Sequence, residues 1–263
     1  MLFFRRGLWY NIGMLIESRN NPIIKSVRAL SAAKARRALG LHRIEGVKLV
    51  TDAAASGAAL DTVFIEEGAA FVPPEGVRSF TVTRAVMECI TDSATPQAVA
   101  ATVRTPEMAP PETFPEGLIV LLDGVQDPGN AGTILRSADA FGAAGVFFSG
   151  GCADPFSPKM LRAARGSTYH LPLWYGNAAA AVARLRAQGF SAVCGHLGGS
   201  ETLPDVGDSA VLVIGSEGAG ASEAVAAQCA LYRLPIPGRA ESLNASVAAG
   251  ILLYVLSNAM RGR

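Results

Sequence analysis

Residues 117–136, GLIVLLDGVQDPGNAGTILR, decide how this chain folds. Leu118 to Leu122 form an unbroken apolar run, the pattern of a strand covered on both faces. After a polar loop, TILRSADAFGA (133–143) places apolar side chains at helical spacing and closes on a glycine. A buried strand, a glycine-bearing loop and a helix open an α/β unit. The alternation continues through VFFSG (146–150), the helical PKMLRAARGS (158–167), YHLPLW (169–174), the helical AAAAVARLRAQG (178–189) and FSAVCGH (190–196). It ends with AVLVIGSEG (210–218), LYRLPIPG (231–238) and the helical SVAAGILLYVLSNAMR (246–261). A mostly parallel sheet covered by helices is the expected architecture.

Upstream, apolar residues recur at helical spacing from Asn21 to Leu39 (Ile24, Val27, Leu30), with basic residues between them. LHRIEGVKLVTDAAASG (41–57) reads as strand then helix, DTVFIE (61–66) and VRSFTV (77–82) as strands, and TRAVMECITDS (83–93) as a helix. Pro106, Pro110, Pro111 and Pro115 then break the pattern, since proline donates no backbone hydrogen bond and favours extended chain. The expected division is a disordered extension at 1–13, a smaller α/β domain at 14–103, a Pro-rich linker at 104–116 and the parallel-sheet domain at 117–263.

Half of the 263 residues are hydrophobic, 17% are charged and the net charge is +1. No global basic field announces a nucleic-acid partner, but between Arg19 and Lys48 eight basic residues face one acid, Glu45. Such a stretch either meets phosphates or forms a solvated helix face. Cys89, Cys152, Cys194 and Cys229 lie too far apart for a zinc motif and are too few for a disulfide scaffold, so reduced thiols and a cytoplasmic location are expected. His42, His170 and His196 form no metal-ligand spacing and are assigned core or surface roles, with no metal site. No apolar run is long enough for a membrane span.

Three loops follow buried strands, where open α/β sheets usually bind ligands. In DGVQDPGNAGTILR (123–136), Asn130 and Arg136 bring an amide and a fixed positive charge to the start of a helix. The loop has neither the GK[ST] ending of a nucleotide triphosphatase nor the GxGxxG of a dinucleotide enzyme with its acidic ribose partner. In IGSEGAG (214–220), Glu217 is either a ligand for hydroxyl or amine groups or a helix cap. In IPGRAESLNASVAAG (236–250), SLNAS by itself reads as an N-terminal cap. Arg136 by itself reads as an i,i+3 partner of Asp139.

Taken together, the three loops resemble, in order and spacing, the signature motifs of the SpoU (TrmH-like) family of RNA ribose methyltransferases, part of the SPOUT superfamily. The first stands as Asp127-Pro128-Gly129-Asn130-Ala131-Gly132 with Arg136, the second as Gly215-Ser216-Glu217-Gly218, and the third as Ile236-Pro237 with Ser242-Leu243-Asn244. Residues 154–159 (DPFSPK) and Leu171-Pro172 also match family positions.

The resemblance implies a catalytic domain with a deep trefoil knot, a homodimer, and S-adenosylmethionine as cofactor. It assigns the cofactor cradle to Gly215, Ile236 and Leu243, with Leu197, Gly198, Ile214 and Glu217 beside them. Catalytic roles fall to Arg136, with Asn130, Glu217, Ser242 and Asn244 in support. An arginine normally stays protonated, so Arg136 either withdraws the hydroxyl proton or holds RNA phosphate and developing alkoxide charge. Residues 14–100 resemble the ribosomal-protein-like RNA-binding domain fused ahead of such units. This gives Arg19, Asn21, Lys25, Arg36, Arg37 and Arg43 as RNA contacts. Two departures concern the substrate. Leu41-His42-Arg43-Ile44 replaces a phenylalanine or glycine-rich stretch, and Arg162-Ala163-Ala164-Arg165-Gly166 replaces R-A-S-x-G, which adds Arg165 to the RNA contacts. Ribosomal RNA is expected ahead of transfer RNA. The competing expectation is a catalytically inactive RNA-binding paralogue acting in ribosome assembly.

Overall fold

A computed structural model describes residues 15–91 and 95–262; the expected extension at 1–13 lies outside the described residues. The chain divides into two compact units. The first runs to Pro106 and includes residues 156–158; the second holds 107–155 and the chain from Lys159 onward.

In the first unit, β1 (Leu15–Ile16) precedes α1 (Pro22–Ala29) and α2 (Ala33–Leu39). Asn21 caps α1 by accepting from the N–H of Ile23 at 2.9 Å. The expected single helical stretch is therefore two helices. The Arg36 guanidinium folds back onto the carbonyls of Leu30 and Ser31, both at 2.8 Å, and satisfies groups that a continuing helix would have used. Then follow β2 (Leu41–Glu45), α3 (Val47–Ala55), β3 (Leu60–Glu66), β4 (Arg78–Val82), α4 (Arg84–Ile90) and β5 (Val99–Arg104). The sheet order is β1-β4-β3-β5-β2, with β5 antiparallel to both neighbours and the other pairs parallel. Ile24 and Val27 of α1 pack with Val86, Met87 and Ile90 of α4 over Phe64 and Phe80 of the sheet.

The second unit is a six-stranded, wholly parallel sheet ordered β11-β9-β10-β6-β7-β8. Its strands are β6 (Leu118–Asp123), β7 (Gly145–Ser149), β8 (Leu173–Gly176), β9 (Ser191–Ser200), β10 (Ala210–Gly215) and β11 (Ala230–Tyr232). Its helices are α5 (Pro128–Ala140), α6 (Pro158–Ala164), α7 (Ser167–His170), α8 (Ala178–Ala187), α9 (Glu223–Ala226) and α10 (Ala245–Arg261). Four or more residues of β6, β7 and β10 are buried, as expected for strands sandwiched between helices. The Pro-rich stretch is packed onto this unit. Phe114 lies edge-on to Trp174 with centroids 5.2 Å apart, and the Tyr175 N–H donates to the Met108 carbonyl at 2.7 Å.

Strand order fixes where a ligand can bind. From β6 the chain builds outward through β7 and β8, then crosses to lay β10 on the other side of β6 with β9 beyond it. Asp123 and Gly215 are register partners at the carboxyl ends of β6 and β10. Their loops leave a crevice at this switch point. Burial raises the thiol of Cys194 to about 12 and that of Cys229 to about 11, so both are protonated and unreactive at neutral pH. Among the described residues no helix is long and apolar enough to cross a membrane.

Candidate active site

The loop after β10 turns back on itself. Ser216 and Gly220 exchange backbone hydrogen bonds at 2.9 and 3.0 Å, with Gly220 at φ +72°. This brings Ala221 and Gly220 so close to Gly215 that a Cβ there would lie 1.9 Å from the Ala221 nitrogen and 2.0 Å from the Gly220 carbonyl carbon. Only glycine fits. Asp123 fastens the far side of the loop: one carboxylate oxygen accepts from the N–H and hydroxyl of Ser222 at 2.8 and 2.7 Å, the other from the Ser149 hydroxyl at 3.1 Å. The ends of β6 and β7 and the far end of the loop after β10 are thereby held by one side chain.

At the first loop, Asp127 caps α5 by accepting from the Asn130 N–H at 2.9 Å, and Pro128 occupies the first helical turn. Lys159 donates to the same carboxylate at 2.6 Å; with the Asn130 N–H it holds Asp127 below its ordinary range. Three side chains from three loops then form a chain of hydrogen bonds. The Asn130 amide donates to Glu217 Oε1 at 2.9 Å, the Asn244 amide donates to Asn130 Oδ1 at 3.1 Å, and Asn244 Oδ1 accepts from the N–H and hydroxyl of Ser246 at 2.9 and 2.7 Å as the cap of α10. An ionised carboxylate only accepts, so Glu217 fixes which way both asparagine amides face. Burial works to raise the Glu217 pKa, but the Asn130 amide and the N–H groups of residues 217, 126 and 127 outweigh it and hold it below 4.5.

A pocket of about 500 Å³ lies against this network, within the usual size for a small-molecule site. Leu197, Ile214, Ile236, Leu243 and Leu252 supply apolar walls, and residues 215–220, Ser242 and Asn244 a polar rim rich in backbone groups. Of the sequence-predicted cradle, Gly215, Ile236, Leu243, Leu197, Ile214 and Glu217 line it; Gly198 instead donates its N–H to His196 Nδ1 at 3.0 Å. Ser242 and Asn244 line it, while Asn130 bridges Glu217 and Asn244 from behind. Arg136 is exposed on α5 and outside the lining. Its expected helical partner is engaged elsewhere, since Asp139 Oδ2 meets His170 Nδ1 at 2.8 Å.

Sequence reasoning missed several pocket residues, among them both basic ones. His196 lines the pocket from the middle of β9 and Arg233 from just beyond β11. For His196 the overlooked signal was a polar side chain among Gly195, Gly198 and Gly199, just after an apolar strand start. Among the expected RNA contacts, Lys25, Arg37 and Arg165 are exposed, and Arg165 adopts φ 56°. Arg19 is exposed and donates to the Ala85 carbonyl at 2.9 Å. Asn21 serves as a helix cap. Arg36 and Arg43 do not present charge to solvent: each is only 6% exposed. This corrects the expectation for both, and for Arg36 the physical reason is its bonding to two backbone carbonyls.

Residues 117–254 match the model of the SpoU rRNA Methylase family, and residues 21–101 that of an MRM3-like substrate binding domain. The chain is 33% identical to the 23S rRNA (guanosine(2553)-2'-O)-methyltransferase RlmP of Bacillus subtilis, over 92% of this chain and 98% of that protein. The AdoMet-bound rRNA methyltransferase of Sinorhizobium meliloti superimposes with a TM-score of 0.84 at 34% identity, covering 95% of this chain and 99% of that one. The SpoU methyltransferase AviRb of Streptomyces viridochromogenes, in complex with AdoMet, gives 0.79 at 28% identity, covering 93% and 98%. With its three loops gathered at one crevice and both domains matched, the chain belongs to the SpoU rRNA methylase family.

Proposed function

We propose that this protein transfers a methyl group from S-adenosylmethionine to a ribose 2′-hydroxyl of ribosomal RNA. The observation that carries the reading is the Glu217–Asn130–Asn244 chain, which ties all three signature loops into one wall beside a cofactor-sized pocket. The pocket fits the cofactor's chemistry. Its apolar walls suit a nucleoside, and the crowded glycine at 215 lets backbone groups close on a ligand where any side chain would intrude. Gly215, Ile236 and Leu243 would hold it, with Leu197 and Ile214 alongside. When bound, the cofactor supplies an electrophilic methyl on a sulfonium.

The protein's own contribution is position and charge. Displacement at a methyl carbon needs nucleophile and leaving group in line, so rigid placement of the ribose supplies much of the rate. Asn130 is clamped by two side chains and presents a fixed edge of α5, and Arg136 lies six residues further along the same helix, exposed to solvent. The Arg136 charge holds the RNA backbone and stabilises the negative charge that develops on the 2′-oxygen as the oxygen–methyl bond forms and its proton passes to water. A pure RNA binder has no need for a carboxylate–amide–amide relay at a nucleoside-sized pocket, and this disfavours the inactive-paralogue reading.

Two finer points belong to the same proposal. The sheet order, with β9 and β10 lying between β6 and β11, is compatible with a knotted carboxyl-terminal path. Val247, Ile251 and Tyr254 leave an apolar stripe along α10, 50%, 41% and 57% exposed, which supports a homodimer through this helix. The likeness to bacterial rRNA methyltransferases supports a cytoplasmic location. The test is Arg136→Ala, assayed for methyl transfer to 23S ribosomal RNA and for S-adenosylmethionine binding by calorimetry. Transfer is expected to disappear while affinity stays within a few fold; wild-type turnover would remove Arg136 from the mechanism.

A further inference from the structure

The first unit holds a cluster of charge that its fold leaves unexplained. Arg78, Thr62 and Thr102 are direct register partners on β4, β3 and β5, so their side chains leave the sheet on one face. Asp61 sits beside this row, its side chain 18% exposed. One of its oxygens accepts from the hydroxyls of Thr62 and Thr102 at 2.9 and 3.1 Å and lies 3.3 Å from Arg78 Nη2; the other lies 3.5 Å from Arg104 Nη2. Arg78 is further fixed by Nε and Nη2 donating to the Thr62 hydroxyl at 2.9 and 2.6 Å and by its position 5.9 Å over the Phe80 ring.

Two guanidinium groups thus converge on one carboxylate, which leaves a net positive charge. Both arginines remain open to solvent, 52% and 69% exposed at their side chains. A stabilising ion pair needs only one arginine, and exposed pairs are worth little to stability. What the arrangement does provide is two guanidinium groups drawn to one carboxylate, with Nη1 of Arg78 and the Nε and Nη1 donors of Arg104 left for phosphate oxygens. We propose that Arg78 and Arg104, organised by Asp61, form an anion site that grips a backbone phosphate of the RNA substrate. Neither arginine belongs to the basic stretch of α1 and α2. The proposal rests on the RNA-methyltransferase reading for the identity of its ligand.

The experiment uses the full chain and 23S ribosomal RNA transcribed in vitro, with binding measured between 50 and 200 mM salt. Every phosphate that the protein no longer neutralises lowers the slope of log affinity against log salt by about 0.7–0.9. Arg78→Gln/Arg104→Gln removes one phosphate contact and is therefore expected to reduce the slope by about 0.7–0.9 and to bind several-fold more weakly. Its S-adenosylmethionine affinity and melting temperature should match wild type, because neither residue lines the pocket. Unchanged affinity and slope in a folded double variant would overturn the proposal while leaving the methyltransferase reading intact. Failure of the wild-type chain to bind this RNA would overturn both. As a second variant, Asp61→Asn keeps the shape and adds net positive charge. Weaker RNA binding is expected because the two arginines lose their anchor, and tighter binding would overturn the organising role by showing that charge acts without it.

Discussion

Replacing Asn130 by aspartate tests the three-loop network through the sign of a pH effect. The wild-type amide donates to Glu217 at 2.9 Å and accepts from Asn244 at 3.1 Å. Aspartate keeps the second bond and turns the first into two carboxylates at hydrogen-bonding distance. A bond to a charged acceptor is worth about 1.5–3 kcal/mol when buried, and about 1 kcal/mol here because Glu217 is exposed. Repulsion between the two charges adds about 1 kcal/mol at the dielectric of water. The sum, about 2 kcal/mol, falls on the wall that Glu217 and Asn244 contribute to the pocket, so S-adenosylmethionine affinity should drop about thirtyfold at pH 7.5.

The pH dependence separates this from general damage. In the wild type Glu217 has a lowered pKa, so its contribution is complete above 4.5 and fades only as pH falls through the folded value. Affinity should therefore be flat between pH 7.5 and 5.5. In the variant, paired carboxylates favour sharing a proton, and a protonated Asp at 130 again donates to Glu217. The deficit should shrink at pH 5.5. Calorimetric titration of both proteins at the two pH values decides the matter; wild-type affinity at pH 7.5, or an equal deficit at both, would show that the network does not hold the pocket wall in this way.

Other substitutions report on neighbouring parts. Gly215→Ala places a Cβ 1.9 Å from backbone nitrogen, and the loop must move about 1.5 Å to reach ordinary contact at 3.4 Å, so cofactor binding should be lost; a calorimetric affinity near wild type would show the loop is not so constrained. Asp123→Ala releases Ser222 and Ser149 and should weaken cofactor binding about tenfold, whereas Asp123→Asn, which keeps an acceptor toward Ser222, should lose little; equal affinities for the two variants would contradict the clamp. Gly132→Ala drives a Cβ to 2.6 Å from that of Ala163 and 2.7 Å from the Met160 carbonyl, an overpacking of about 1–3 kcal/mol. Thermal melting should show a midpoint lower by several degrees, and an unchanged midpoint would contradict the close α5–α6 packing.

The parallel sheet was legible because fully apolar runs such as Leu118–Leu122 and Val211–Ile214 bury both faces and admit few other readings. Short or glycine-rich strands were harder to read. β5 (Val99–Arg104) carries no alternation, because it is covered on both faces between β3 and β2, and its last residue falls in the stretch expected as a linker. β9 continues past His196 to Ser200 through glycines that give no hydrophobic signal, and Gly199 is there because a Cβ would lie 2.6 Å from the Leu231 backbone. β11 stops at Tyr232, short of the sequence reading, since Pro235 and Pro237 cannot extend the ladder. Arg36 and Arg43 show the limit of reading charge from sequence: a basic residue signals phosphate only where tertiary structure leaves it exposed.

Ribose methylation itself is put to the test by incubating the protein with radiolabelled S-adenosylmethionine and bacterial ribosomal RNA, then digesting the RNA to nucleosides. The expected result is label on a 2′-O-methylated ribose, with none transferred by Arg136→Ala. Label on a base, or none in ribosomal RNA despite measurable cofactor binding, would contradict the proposed activity.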